Sequence, residues 1–178
     1  MHARSRYLLT CGIAVLAVTL NAQIVTREMV PGVTNFAHLE TTIACAGATT
    51  SAAVPGLKKM GYAAIINLRE ANEVGADIAG EEAAAKAAGI TFIHLPLNST
   101  SPDPAVAAGF LTAVTAPANQ PVFVHCASGN RAAAMWMIKR MVVDKWDADR
   151  AGEEAAALGL TNSTLKTFAL DYAKSHTS

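Results

Sequence analysis

The sequence has no excess of charge of either sign: 14 lysines and arginines face 14 aspartates and glutamates in 178 residues. That balance removes the electrostatic footprint of a nucleic-acid binder or of a protein adsorbed to an anionic membrane. An anionic ligand would therefore have to be held by a local, dedicated site. No internal repeat and no long linker divides the chain, and its length suits one domain with its own core. Cysteine is sparse, three in all. His38, His94 and His125 show no ligand spacing with those cysteines, which argues against a metal centre. Neither a metal nor a cofactor is expected.

The apolar run from Tyr7 to Leu20 is 14 residues long, short of the roughly 20 that a membrane-spanning helix needs. Preceded by Arg4 and Arg6, it has the form of an export signal. Residues 1–22 are predicted to be a signal peptide cleaved after Ala22, leaving a mature domain of residues 23–178. The other reading is an uncleaved N-terminal anchor. On the first, the protein is exported, periplasmic or secreted, with no stable membrane insertion after cleavage. Cys11 leaves with the signal, so Cys45 and Cys126 remain. In an oxidising compartment that pair invites a disulfide, and sequence leaves open whether the two approach each other.

Strand-like and helix-like segments alternate along the mature chain. Residues 23–40 read as an irregular lead-in with a turn at Pro31-Gly32. Strands are predicted at Thr41–Ala46, Ala63–Leu68, Thr91–Leu95 and Pro121–His125. Helices are predicted from Thr50 or Ser51 to Gly61, over 77–88, over Pro104–Thr115, over Gly129–Asp144, over Asp147–Leu158 and over Thr161–Ala173. Gly89 ends the second of these, and Asp103 with Pro104 starts the third as N-cap and first helical residue. The alternation implies a single α/β domain: a mostly parallel sheet of about four or five strands flanked by helices. Trp136 and Trp146 read as core or edge packing.

Ligands of such sheets bind at the carboxyl ends of the strands. There stands Val122-Phe123-Val124-His125-Cys126-Ala127-Ser128-Gly129-Asn130-Arg131. A strand, a short glycine-containing turn and a helix make a nest of inward N–H groups with a positive helix end behind it. Gly129 supplies backbone freedom at the bend, and the Arg131 guanidinium is a planar fork for oxyanions. In such surroundings a cysteine, at about 8.5 when free, drops to roughly 3.5–7.5 and becomes a thiolate nucleophile. Cys126 is thus the candidate nucleophile and Arg131 the anion clamp, with His125 as loop support. The bland alternative is an ordinary buried cysteine after a strand.

The run His125 to Arg131 resembles the active-site signature of bacterial protein-tyrosine-phosphatase-like proteins of the dual-specificity phosphatase superfamily. The phosphatase-like domain of beta-lactamase-hydrolase-like proteins is related. Asn35-Phe36 and Ala46-Gly47 look like the family's opening segment. Ile65 to Glu70 and His94 to Leu97 look like its strand ends, and Glu153-Glu154-Ala155 with Gly159-Leu160-Thr161 like its late helix pair. The likeness spans roughly residues 30–175. It implies a cysteine-phosphatase-like fold and hydrolysis of phosphate esters, phosphotyrosine included, through a cysteinyl-phosphate, on a phosphorylated small molecule or protein. By the same likeness, Cys126 attacks phosphorus, and the amides of Ala127, Ser128, Gly129, Asn130 and Arg131 with the Arg131 side chain hold the phosphoryl oxygens. Asp103 is the candidate general acid, its other role being the plain N-cap. Arg69 pairs with Glu70, braces the loop, or is a solvated strand end.

Two departures from the phosphatase pattern keep other readings open. Cys126 and Arg131 enclose four residues where five are usual, and Ala132 stands where a serine or threonine follows the arginine. Ser128 is the available substitute hydroxyl. The short loop is similar to the cradle of rhodanese-type sulfurtransferases, whose cysteine carries a persulfide. A non-catalytic oxyanion-binding module is the third reading.

Overall fold

The computed structural model describes residues 24–39 and 42–176; the predicted signal segment and Thr41 lie outside them. Six strands form one mixed sheet: β1 (Val25–Arg27), β2 (Ala37–Leu39), β3 (Ile43–Ala46), β4 (Ala64–Asn67), β5 (Thr91–His94) and β6 (Val122–His125). Their order across the sheet is β1-β2-β3-β6-β4-β5. β3, β6, β4 and β5 run parallel, while β2 is antiparallel to both its neighbours. The four parallel strands fall within two residues of their predicted positions. The lead-in is not irregular throughout, however. Val25–Arg27 and Ala37–Leu39 pair as strands at the sheet edge. At three residues each they are too short to display a period of two.

Six helices cover the sheet: α1 (Val54–Lys59), α2 (Ile78–Ala88), α3 (Pro104–Thr115), α4 (Asn130–Val142), α5 (Ala148–Leu158) and α6 (Ser163–His176). A short 3₁₀ turn over Ser51–Ala53 leads into α1. The helix ends follow local chemistry. Asp77, Asp103 and Asp147 cap α2, α3 and α5 by accepting from the N–H groups of Gly80, Ala105 and Arg150. α2 and α5 stop at the left-handed Gly89 and Gly159.

Two apolar cores lie on opposite faces of the sheet. Phe36, Leu57, Tyr62, Ile65, Ile90 and Phe123 pack on the α1–α2 side. Leu39, Ile66, Leu68, Phe110, Val124, Met135, Met137 and Leu165 pack on the α3–α6 side. α4 is buried along most of its length, which fixes its first turn against the sheet. Trp136 is 3% exposed and donates to Glu154 Oε1 at 2.7 Å, a carboxylate that also takes Arg140 Nε at 2.6 Å. The Arg140 guanidinium lies 4.2 Å from the Trp146 ring centre. Both tryptophans therefore serve packing, as predicted.

Because Ala46, His125, Asn67 and His94 stand level across the parallel strands, the connections that follow them emerge on one edge. That edge carries the Cys126 loop.

Candidate active site

Cys126 leaves β6 with its N–H on Ala46 O at 3.2 Å. Its side chain is fully buried. The chain then turns within three residues, and Gly129 does so at φ +99°, a conformation that a residue with a Cβ enters only at a cost. The turn brings the Gly129 N–H onto Cys126 Sγ at 3.1 Å. Asn130, Arg131 and Ala132 open α4, so their N–H groups have no carbonyl a turn earlier and carry the helix's positive end.

The loop is braced from three sides. Ala127 O accepts from Ala48 N at 2.9 Å, and Ser128 O accepts from Asn35 Nδ2 at 3.1 Å. A Cβ on Gly47 would come within 2.4 Å of Thr34 Oγ1 and 3.1 Å of Ala127 O, so glycine is required where these segments cross. The third brace is the Asn130 side chain, whose Oδ1 accepts from the N–H groups of Thr161 at 2.7 Å and Asn162 at 2.8 Å. Asn130 thus binds the α5–α6 connection with its side chain and can offer an anion only its amide. Ser128 Oγ accepts from Asn130 Nδ2 at 3.3 Å. The groups on Sγ are the Gly129 amide and the Arg131 guanidinium, where sequence offered the Ser128 hydroxyl.

Arg131 is 5% exposed. Its Nη1 donates to Leu68 O at 3.0 Å, to Leu97 O at 2.9 Å and to Glu73 Oε1, and its Nη2 donates to Glu73 Oε2 at 2.8 Å. Burial works against the charge of Arg131, but the bonds and charge of Glu73, together with Cys126, outweigh it and raise its pKa. Burial likewise works against the Glu73 carboxylate. The bond to Arg131, the Glu70 backbone, the Arg131 charge and the bond to Arg69 overcome that and bring Glu73 down to about 2. A guanidinium has five N–H donors. In this arrangement the Nε–H and the second Nη2 hydrogen form the edge that neither carbonyl nor carboxylate takes.

Glu73 gave no signal in the sequence. It sits in an acidic, polar stretch after β4, indistinguishable there from solvated loop. The residue that shapes this stretch is Arg69, predicted as a pair with Glu70, a brace or a solvated strand end. It is 4% exposed, and donates to Glu73 Oε2 at 3.3 Å, Gly75 O at 2.9 Å and Val74 O at 2.6 Å. Arg69 therefore supports the Cys loop through Glu73. Glu70 instead accepts from Asn98 Nδ2 at 3.2 Å.

His125 points to the other face of the sheet. Its ring is buried, stacks on Phe123 with centroids 5.6 Å apart, and places Nε2 2.7 Å from Glu81 Oε1. Glu81, itself 3% exposed, accepts from Asn67 Nδ2 at 2.7 Å, and Asn67 Oδ1 accepts from Arg69 N at 2.8 Å. This chain joins the end of β6, the first turn of α2 and the end of β4. His125 is loop support in this sense, with its carbonyl also taking Leu68 N at 2.9 Å.

Asp103 is exposed and caps α3, its Oδ1 2.8 Å from Ala105 N. No hydrogen bond links it to the Cys126 loop in this structure. Cys45 and Cys126 are both buried and unbridged. Burial, then the charges of Cys126 and Glu154, push the Cys45 thiol up. Cys45 stands beside Val124 in the register, so Cys126 is its diagonal neighbour. With strands about 4.8 Å apart and about 6.6 Å of rise over two residues, such neighbours lie about 8 Å apart, while a disulfide needs Cα atoms within about 4.4–6.8 Å. The pair answers the disulfide question in the negative for this backbone.

The fold has close structural counterparts. P. aeruginosa TpbA superposes with a TM-score of 0.64 at 21% identity, covering 86% of this chain and 90% of its own. A DUF442 protein of Shewanella putrefaciens gives 0.69 at 16% identity, over 82% and 95% of the two chains. The core catalytic domain of the PP-IP phosphatase SIW14 of S. cerevisiae gives 0.62 at 18%, over 76% and 83%. No curated protein sequence matches the chain. The profile of the beta-lactamase hydrolase-like protein, phosphatase-like domain, matches residues 35–143, a stretch that runs from the Asn35 brace through the Glu73 and Cys126 loops to the end of α4. With more than half of its sequence so matched, the chain belongs to that phosphatase-like family.

Proposed function

We propose that the protein is a cysteine-dependent phosphatase acting on phosphate monoesters, phosphotyrosine included. The observation that carries this reading is the joint geometry of the loop. Cys126 Sγ receives the Gly129 N–H at 3.1 Å and interacts with the Arg131 guanidinium, on the edge that neither carbonyl nor carboxylate takes. A phosphoryl group seated in the loop would meet that edge and the first amides of α4, while the sulfur faces phosphorus. Attack forms the S–P bond as the ester O–P bond breaks, and the leaving oxygen takes a proton from an acid, for which Asp103 is the candidate. Water then attacks the cysteinyl-phosphate, releasing inorganic phosphate and the Cys126 thiolate. TpbA, in a cysteine-to-serine variant, has been crystallised with phosphotyrosine, which supports the choice of substrate.

The sulfurtransferase reading keeps one specific observation in its favour, the four-residue loop followed by Ala132. A paired assay decides between them. Release of phosphate from an aryl phosphate, lost in Cys126→Ser, is the expected result. Thiocyanate formation from thiosulfate and cyanide without phosphate release would sink the phosphatase reading. The basic start and 14-residue apolar run at the N terminus support export. The mature protein from an exporting host should begin at Gln23, and an intact Met1 would count against cleavage.

A further inference from the structure

One buried carboxylate takes no part in the reaction as described, yet it is tied to both halves of it from behind. Glu81 stands in the first turn of α2 and is 3% exposed. It lies on the α1–α2 side of the sheet, whereas Cys126 belongs to the core on the α3–α6 side. Local chemistry fixes its place. Asp77 caps α2 by accepting from Gly80 N, and a Cβ on Gly80 would overlap the Asp77 carboxylate. Glycine is therefore required immediately before Glu81, whose own N–H donates to Asp77 O at 3.0 Å.

The two oxygens of Glu81 lead in different directions. Oε1 lies 2.7 Å from His125 Nε2. The contact is close in distance but poorly aligned for a hydrogen bond, and His125 Nδ1 meets no partner. At that distance a proton must lie between the two atoms, since bare lone pairs would repel. The imidazole ends a stack of Phe36 on Phe123 on His125, with centroids 6.2 and 5.6 Å apart. The stack keeps water from the pair, which strengthens the contact over one at the surface. With Nδ1 unpartnered, Glu81 supplies the polar restraint on the ring, and His125 is bonded directly to Cys126. Oε2 leads to the clamp instead. It accepts from Asn67 Nδ2 at 2.7 Å, Asn67 Oδ1 accepts from Arg69 N at 2.8 Å, and Arg69 Nε donates to Glu73 Oε2 at 3.3 Å. Glu73 in turn holds both Nη atoms of Arg131.

We infer that Glu81 is a positioning residue, which sets where the Cys126 nucleophile stands relative to the Arg131 clamp. Being on the other side of the sheet from Sγ, it makes and breaks no bond; it controls alignment. In-line displacement depends on alignment steeply, and an offset of about 1 Å costs about a hundredfold. Coulombic holding of the ground-state anion changes only slowly with distance. Loss of Glu81 should therefore fall on kcat rather than on KM. This inference rests on the phosphatase reading for turnover, and on anion binding alone for placement.

The test compares Glu81→Gln with Glu154→Gln, a control that neutralises another buried carboxylate, the partner of Trp136 and Arg140 on α5. kcat and KM are measured with p-nitrophenyl phosphate. Inhibition is measured with inorganic phosphate and with vanadate, whose five-coordinate adduct on a cysteine sulfur copies the transition state. Glu81→Gln should lose about ten- to a hundredfold in kcat, with vanadate inhibition weakened in step. KM and phosphate inhibition should stay within about threefold of wild type, and Glu154→Gln should leave all four unchanged. A folded Glu81→Gln with wild-type kcat, a loss that falls on KM, or an equal loss in Glu154→Gln would overturn the inference. Should Glu81→Gln not fold, Asn67→Ser leaves the His125 contact and cuts only the branch to Arg69. It should show the same split between vanadate and phosphate, and no split there would overturn the inference too. If wild type turns over no phosphate ester, calorimetric titration of the same variants with vanadate and phosphate still decides the placement, and the failure falls on the phosphatase reading alone.

Discussion

Replacing Glu73 by glutamine tests whether this carboxylate braces the anion clamp or plugs it. The two roles look alike in outline, since an internal carboxylate on an oxyanion-binding arginine can mimic the substrate. The bonded atoms favour a brace. Glu73 takes Nη1 and one position of Nη2, and the edge toward Nε stays open. The magnitude follows from the titration. A carboxyl brought from 4.5 to about 2 prefers its ionised form in the folded protein by about 3 kcal/mol. With the side chain 20% exposed, solvent screening reduces this to about 2 kcal/mol. The folded value is depressed, so the contribution is complete above pH 4.5, fades as pH falls toward 2 and is absent below. Urea unfolding of wild type and Glu73→Gln should therefore differ by about 2 kcal/mol at pH 7. The difference should hold to about pH 5 and close between about 4.5 and 2. With the guanidinium no longer fixed, turnover of an aryl phosphate should drop about ten- to a hundredfold. A variant with raised turnover or tighter inhibition by phosphate would make Glu73 a plug. A stability gap unchanged at pH 2 would refute the ion-pair argument.

Two further perturbations separate roles that coincide in one residue. Asp103→Asn keeps a side chain that caps as well as aspartate while removing the proton, so unchanged thermal stability with kcat lower by about 100-fold identifies the acid; an unchanged kcat removes Asp103 from the mechanism. A thiol oxidant such as diamide should produce no Cys45–Cys126 bridge in the folded protein, because of their diagonal register. A bridged peptide found by mass spectrometry after oxidation under native conditions would show that the backbone between β3 and β6 moves more than this register allows.

Much of the fold was legible because it depends on local signals. Apolar runs marked the parallel strands, two of them closed by Gly47 and Pro96, and Asp103-Pro104 and Gly89 marked helix ends that the structure keeps within a residue. Val25–Arg27 and Ala37–Leu39 were not legible, since a three-residue edge strand is defined by its partner rather than by its own pattern. Glu73, Glu81 and the bracing role of Asn35 were missed for a related reason. Each meets the Cys126 or His125 region across 44 to 93 positions of chain, and only the register of four parallel strands brings those positions level. Arg69 was visible as a strand-end residue, but its burial depends on the turn that folds back over it, which nothing in Glu70 to Gly75 announces.

The short loop is where reading from residues stopped and geometry added something new. With four residues between Cys126 and Arg131 and Ala132 in the next place, the hydroxyl that usually assists a departing thiolate is absent. Ser128 was the substitute that composition offered, yet its hydroxyl turns to Asn130. Beside the Arg131 guanidinium, the donor on sulfur is the backbone of Gly129, delivered at φ +99°. A backbone donor has no rotamer to lose and cannot swing away during the reaction, so a loop shortened by one residue can still stabilise its leaving thiolate. What it requires is glycine at that position and tight external bracing. Asn35, Gly47 and Asn130 supply the bracing from three separate connections. The departure from the longer pattern thus moves the burden from a side-chain hydroxyl to the backbone.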